Sequence, residues 1–307
     1  MRKLWILLFV IPCLALGQEK GIHFEKQSTW EQVKAKAKAE NKHIFVDCFT
    51  TWCGPCKYMS STIFPQEKVG TFFNDKFVNL KIQMDQTEKD EAAVKEWYSE
   101  AERFAKDYAI IAYPTFLIFN PDGELVHRIV GGGEADPFIA MAAEGLNPET
   151  QYITLVNKFK ANPSDMKIAK AVAQKAEDAY DKALAAEARA AFLNGSPEDE
   201  LLKKENIPFL ISSATSTDSK AYKIMNNNKA KIDAEMGAGK ANEALASVLL
   251  RTLVIPKAQA AEIADFDSLE KEIAANHPEV DMSDMLRQFK PQYYYQKQNW
   301  PKFKDAV

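Results

Sequence analysis

Cys53 and Cys56, separated by two residues in Trp52-Cys53-Gly54-Pro55-Cys56-Lys57, limit the fold of this 307-residue chain more than any other feature. Two cysteines at this spacing can close a small reversible disulfide. Their flanks decide whether the pair is a metal clip, a staple or a redox centre. Upstream, His43-Ile44-Phe45-Val46-Asp47-Cys48-Phe49 is apolar and β-prone, broken by one carboxylate. Downstream, Lys57 to Phe64 can continue as helix. The pair therefore stands where a strand turns into a helix, the context in which Cys-x-x-Cys carries redox chemistry. A zinc site wants four ligands. His23, His43, His127 and His277 are scattered singly, with no second cysteine pair beside any of them, so neither a metal nor a cofactor is expected.

The N-terminus reads as a secretory signal. Arg2 and Lys3 precede an apolar run from Leu4 to Leu14, and Ala15-Leu16-Gly17 offers a cleavage site before Gln18. The run is shorter than the ~20 residues of a membrane-spanning helix. Residues 1–17 are therefore expected to be removed, and the rest to be exported, periplasmic in a bacterium, where disulfides persist. Cys48, Cys53 and Cys56 remain after that cleavage, too few for a disulfide-stapled scaffold. A formal net charge of −4, with lysines and acids interleaved throughout, excludes a nucleic-acid or anionic-membrane surface as the organising feature.

Two regions follow. In residues 18–147 the expected elements alternate. Ser28-Thr29-Trp30-Glu31 resembles a capping box opening a helix through Ala39, and His43 to Phe49 is a strand. Helices follow at Pro55 to Thr62 and Glu67 to Asp75, then a strand from Phe77 to Met84. Thr87-Glu88-Lys89-Asp90 is expected to cap one long helix reaching Tyr108. Thr115 to Phe119 and Glu124 to Val130 form a hairpin about Asn120-Pro121-Asp122-Gly123, and a closing helix covers 134–145. This order fits an α/β fold, a mixed central sheet flanked by helices. Residues 148–307 hold Ala-rich helical stretches such as Ala169 to Ala191. They are punctuated by Asn162-Pro163, Ser196-Pro197, Ile255-Pro256, His277-Pro278 and Lys290-Pro291, an all-α domain. Ser196-Pro197 reads as a cap followed by an N1 proline. Tyr293-Tyr294-Tyr295 to Phe303 resembles the turn of a tetratricopeptide-type unit, without a firm repeat period.

Residues 22–146 resemble the thioredoxin family. The hexapeptide Trp52 to Lys57 is that family's active-site sequence. Asp47, six residues before Cys53, matches its buried aspartate, and Lys81 and Asp85 match a Lys and an Asp of its central strand. Tyr113-Pro114-Thr115 matches its cis-proline loop, and Gly131-Gly132-Gly133 the bend after its last hairpin. Thr62-Ile63-Phe64, Val69, Phe72-Phe73 and Phe77-Val78 look like the envelope branch, which includes the thioredoxin-like domain of thiol–disulfide interchange proteins.

The resemblance implies an enzyme, a thiol–disulfide oxidoreductase, and the residues fit those roles. Cys53 at a helix N-terminus is the nucleophile, because free N–H groups and the helix dipole favour a thiolate. Cys56, one turn on, resolves the mixed disulfide. Asp47, desolvated beneath, takes the proton of Cys56. Pro114 holds a cis bond, and Tyr113 and Thr115 offer backbone groups to an extended client, with Trp52, Gly54 and Pro55 completing its binding surface. Cys48 points to the opposite strand face as a packing residue, and Lys81 is either a partner of Asp47 or a surface lysine. The Gly54-Pro55 pair is the reducing thioredoxin's own, which implies reduction of exported disulfide proteins and a membrane electron donor. The alternatives are a client-recruiting binding module, with the helical domain holding a protein partner, and a disulfide isomerase.

Overall fold

The computed structural model describes residues 20–26, 28–260 and 262–307; the expected signal segment lies outside them. Among the described residues, no helix is long and apolar enough to cross a membrane. The chain forms two compact units. One runs through Ala161 and includes Gln174–Lys182; the other comprises Asn162–Ala173 and Ala183–Val307.

The first unit is built on a four-stranded mixed sheet of order β2-β1-β3-β4. These strands are β1 (His43–Phe49), β2 (Phe77–Gln83), β3 (Thr115–Phe119) and β4 (Leu125–Val130). β1 runs parallel to β2 and antiparallel to β3, and β3 pairs antiparallel with β4. The parallel pair needs a helical crossover, and the residues between Cys53 and Lys76 supply it.

Helix α1 (Trp30–Glu40) begins one residue later than the capping motif implied. Thr29, not Ser28, is the N-cap: its hydroxyl accepts from Gln32 N at 3.3 Å, while Gln32 Oε1 accepts from Thr29 N at 2.8 Å. The reciprocal partner is thus Gln32 rather than Glu31. The expected helix from Pro55 to Thr62 is α2 (Gly54–Tyr58) running into a π-turn, Met59–Ile63. Next comes α3 (Glu67–Lys76). The single long helix expected up to Tyr108 is instead α4 (Ala92–Lys95) and α5 (Tyr98–Asp107). Asp90 causes the delay. It accepts from Thr87 N, Tyr98 Oη and Gln83 Nε2 at 2.6–2.9 Å, tying 87–90 into a turn against the end of β2. The closing helices are α6 (Ala135–Glu144) and α7 (Tyr152–Ala161), and α7 lies against β4.

Alternation along β1 divides the core. Ile44, Val46 and Cys48 face one side with Trp30, Phe104, Leu117 and Phe119. Phe45 faces the other, among rings of Phe73, Phe116 and Phe138 whose centroids lie 4.7–6.0 Å away. Cys48 is fully buried, its thiol pushed well above the usual range chiefly by burial, and it serves as packing.

The second unit is all helical. The Ala-rich stretch is two helices, Met166–Asp178 and Lys182–Gly195, separated at Tyr180, whose φ is +60° and which lies in the 174–182 segment that belongs to the first unit. Pro197 itself stands at the cap of Glu198–Leu201, and Ser196 Oγ makes no capping bond. Neither Pro256 nor Pro291 breaks a helix as expected. Pro256 lies in the first turn of Ile255–Ala260, continuing from a π-turn, and Pro291 sits inside Ser283–Gln296. Tyr293 and Tyr294 are core, whereas Tyr295 is exposed.

Gly70 of α3 is held against the chain's N-terminal segment. A Cβ there would come within 2.3–2.6 Å of Gly21 backbone atoms, too close without moving main chain. Gly70→Ala should therefore destabilise the first unit by about 1–3 kcal/mol, the usual cost of overpacking. The measurement is urea unfolding with amide hydrogen exchange read on β1; protection equal to wild type would contradict the packing described.

Candidate active site

The strand-to-helix junction places both cysteines. β1 ends at Phe49, and Thr50 O accepts from Cys53 N at 3.3 Å, closing a turn that brings Cys53 to the N-cap of α2. Cys53 and Cys56 form a disulfide with Cα atoms 5.3 Å apart. Cys56 N donates to Cys53 Sγ at 3.1 Å, so the sulfur does what a capping oxygen usually does. Pro55 occupies the first turn, where its missing N–H costs nothing. Both cysteines are nearly buried, at 3% and 4% exposure, so a client must come to the pair along the residues that border it.

Those borders are unequal. Trp52 is 67% exposed and meets Tyr113 edge-on at 5.9 Å, so it flanks the pair rather than covering it. A Cβ at Gly54 would meet nothing within 4 Å, so packing does not require glycine there, and its effect is to leave room beside the sulfurs. The Tyr113–Pro114 peptide bond is cis, and Pro114 O accepts from Gly131 N at 2.9 Å, linking the loop to the glycine bend. Gly131 has φ +89°, a conformation that favours glycine. Thr115 is buried. Its hydroxyl donates to Ala112 O at 2.7 Å, and its backbone lies in register between Cys48 and Val130. It shapes the loop from within rather than standing open to a client.

Asp47 is 2% exposed on β1, opposite Lys81 of β2 and Phe116 of β3. Burial raises its pKa to about 6, and the opposing pull of the Lys81 ammonium, 3.4 Å from Oδ2, is the smaller effect. Oδ1 is buried with no hydrogen-bond partner among the described residues, which leaves one oxygen free to accept a proton. Lys81 is therefore a partner of Asp47, not a surface lysine. β2 is an outer strand of this sheet, not a central one, and Asp85 lies beyond its end. Asp85 accepts from both Thr51 N, at 2.9 Å, and Thr51 Oγ1, which anchors the loop carrying Trp52 and Cys53.

Sequence reasoning missed the surroundings of Lys81. Its ammonium donates to Ser60 Oγ at 2.7 Å and lies 4.7–5.4 Å from the rings of Phe49, Phe24 and Phe64. Ser60 sits on the π-turn seven residues after Cys53, and helical spacing alone does not reveal which side that turn presents. Among the described residues, no group of three or more His, Cys, Asp or Glu could hold a metal ion. His127 is buried and accepts from Tyr152 N at Nδ1; burial lowers its pKa to about 4, so it is a neutral packing residue of the first unit.

A Cys-x-x-Cys disulfide capping a helix, a buried carboxyl on the strand that leads into it and a cis-proline loop, on a mixed sheet with helices on both sides, make up the arrangement of a thiol–disulfide oxidoreductase. Residues 30–145 match the family described as a thioredoxin-like domain. The chain is 32% identical over 123 residues to Thioredoxin H-type of Chlamydomonas reinhardtii, covering 40% of this chain and 92% of that protein. It is 32% identical over 121 residues to the chloroplastic Thioredoxin Y of Oryza sativa subsp. japonica, which covers 39% of this chain but spans only 61% of that protein. Among solved structures, that of a candidate disulphide-isomerase from Bacteroides thetaiotaomicron is 37% identical, covering 42% of this chain and 97% of that one, with a TM-score of 0.35. The chain belongs to the thioredoxin family through its first unit.

The raised pKa of Asp47 has a defined sign in stability. The folded protein holds this proton more tightly than the unfolded chain, so the contribution is full below the unfolded value of 3.8 and is lost as pH rises through about 6. A difference of that size corresponds to roughly 3 kcal/mol. Asp47→Ala should therefore stabilise the oxidised protein at about pH 8, by roughly 1–3 kcal/mol, and have a smaller or opposite effect at about pH 4. Urea unfolding at the two pH values measures this; equal effects at both would contradict it.

Proposed function

We propose that the protein is an exported reductase of protein disulfides, working through a Cys53/Cys56 dithiol–disulfide cycle. The observation that carries the chemistry is the Cys53–Cys56 disulfide at the N-cap of α2, following a strand that carries a buried carboxyl with one open oxygen. In the reduced protein the Cys53 thiolate attacks one sulfur of a client disulfide. The client's other sulfur leaves as thiolate, and a mixed disulfide forms. Asp47 takes the Cys56 proton, and the Cys56 thiolate attacks Cys53 Sγ. The bond from Cys53 to the client breaks, and the client leaves with both sulfurs reduced. Two electrons have passed to the client, and the protein is left as its disulfide.

The Gly54-Pro55 dipeptide supports the reducing direction, and Arg2, Lys3 and the apolar run after them support export. In an oxidising compartment the cycle requires a donor, which we assign to a membrane dithiol relay. The dithiol cycle uses no residue of the helical unit, and we assign that unit to recruiting a client or receptor protein.

Cys53→Ser should abolish reduction of a protein disulfide, and Cys56→Ala should accumulate mixed disulfides with exported proteins, seen as bands that vanish on adding thiol. The reduction potential should lie near that of a thioredoxin, about −270 mV, and a value near the protein-oxidant end, about −120 mV, would overturn the reducing direction.

A further inference from the structure

The Lys81 ammonium is held from three directions. Asp47 Oδ2 lies 3.4 Å away, and Ser60 Oγ accepts a hydrogen bond at 2.7 Å. The rings of Phe49, Phe24 and Phe64 surround it at 4.7, 5.3 and 5.4 Å. Its side chain is 26% exposed, so water competes for the remaining donors. A lysine stem is flexible, and an ammonium at a partly wet site keeps a fixed distance from a carboxylate only where other fixed groups hold it. The rings attract the charge without fixing a direction. Among the described residues Ser60 Oγ is the neutral hydrogen-bond acceptor of this ammonium, and it makes the shorter of the two polar contacts. The serine is presented by the π-turn, where Phe64 N reaches back five residues to Met59 O at 2.8 Å. Such turns break the regular helical ladder and recur at functional sites. The same turn brings Phe64 to the ammonium, so one irregular segment supplies both a dipole and a ring to a single charge.

We propose that Ser60 is a positioning residue of the redox site: it holds the Lys81 ammonium against Asp47 and so sets the proton affinity of the group that deprotonates Cys56. This rests on the dithiol reading of the site. Lys81 from β2 is the charged group facing Asp47. β3 presents Phe116 opposite it, the π-turn presents Ser60 to the lysine, and the disulfide at α2 does not titrate while intact. On β1 itself the neighbouring thiol, Cys48, stays protonated well above the usual range.

The test follows the Asp47 carboxyl carbon by NMR through a pH titration of the oxidised full-length protein, in wild type, Ser60→Ala, Ser60→Thr and Lys81→Met, and in the Ser60→Ala/Lys81→Met pair. With the ammonium less firmly held, Ser60→Ala should raise the Asp47 midpoint by about half a pH unit or more. Ser60→Thr, which keeps the hydroxyl, should return it to the wild-type value. In the Lys81→Met background Ser60→Ala should change nothing, because serine acts through lysine. An unchanged or lowered midpoint in Ser60→Ala overturns the inference, since Ser60 would then be idle or would be drawing Lys81 away from Asp47. The same rise without Lys81 overturns it as well. The titration needs neither client nor donor. The expected shifts in a protein that reduces no disulfide would support the positioning role and remove the proposed function, whereas active protein with no shift would do the reverse.

Discussion

A carboxyl group buried inside a sheet is the constraint on which the redox unit turns. Asp47 interrupts β1 between Val46 and Cys48, where an apolar residue would pack more cheaply. Its burial costs free energy whenever it is ionised, and the fold offsets this only in part, with one ammonium at 3.4 Å. In the proposed cycle the partial offset is what suits the group to act as a base: a fully paired carboxylate would be too weak a base, and an unpaired one would hold its proton too firmly to turn over. Around this compromise the rest is arranged: Lys81 across the parallel ladder, the ring cluster that shelters the ammonium, and the π-turn that reaches it.

Much of the first unit was legible because its signals are local. The alternation of β1, the Asn120-Pro121-Asp122-Gly123 turn and the cysteine spacing each act over a few residues. Asp47 and Pro114 were legible through the family resemblance and are where it put them, one buried and one cis. What the sequence could not convey depends on partners far along the chain. Thr87 to Asp90 looks like a cap, yet Asp90 is committed to Tyr98 and Gln83, so the helix starts later and in two pieces. Ser60 looks like one of two adjacent helical serines, and only the π-turn and a lysine 21 residues away single it out. Thr115 follows the cis-proline and so looked open to a client, but the two strands flanking β3 enclose it.

The helical unit was legible as helical and little more. Alanine-rich composition predicts helices but not where they stop, because stops are decided by packing and single backbone conformations such as that of Tyr180. Proline was an unreliable mark: Pro291 lies within a helix and Pro256 continues one.

The amide of Cys56 pointing at Cys53 Sγ bears on how a client is let go. A hydrogen bond to sulfur favours its ionised form, and a thiol that ionises readily is also one that departs readily. The same contact that prepares Cys53 to attack thus limits how long it stays joined to what it has attacked. Because the donor is the backbone of the second cysteine itself, this contribution to attachment and to release comes from the main chain between Cys53 and Cys56, and exchanging a side chain does not remove it from one and leave it in the other.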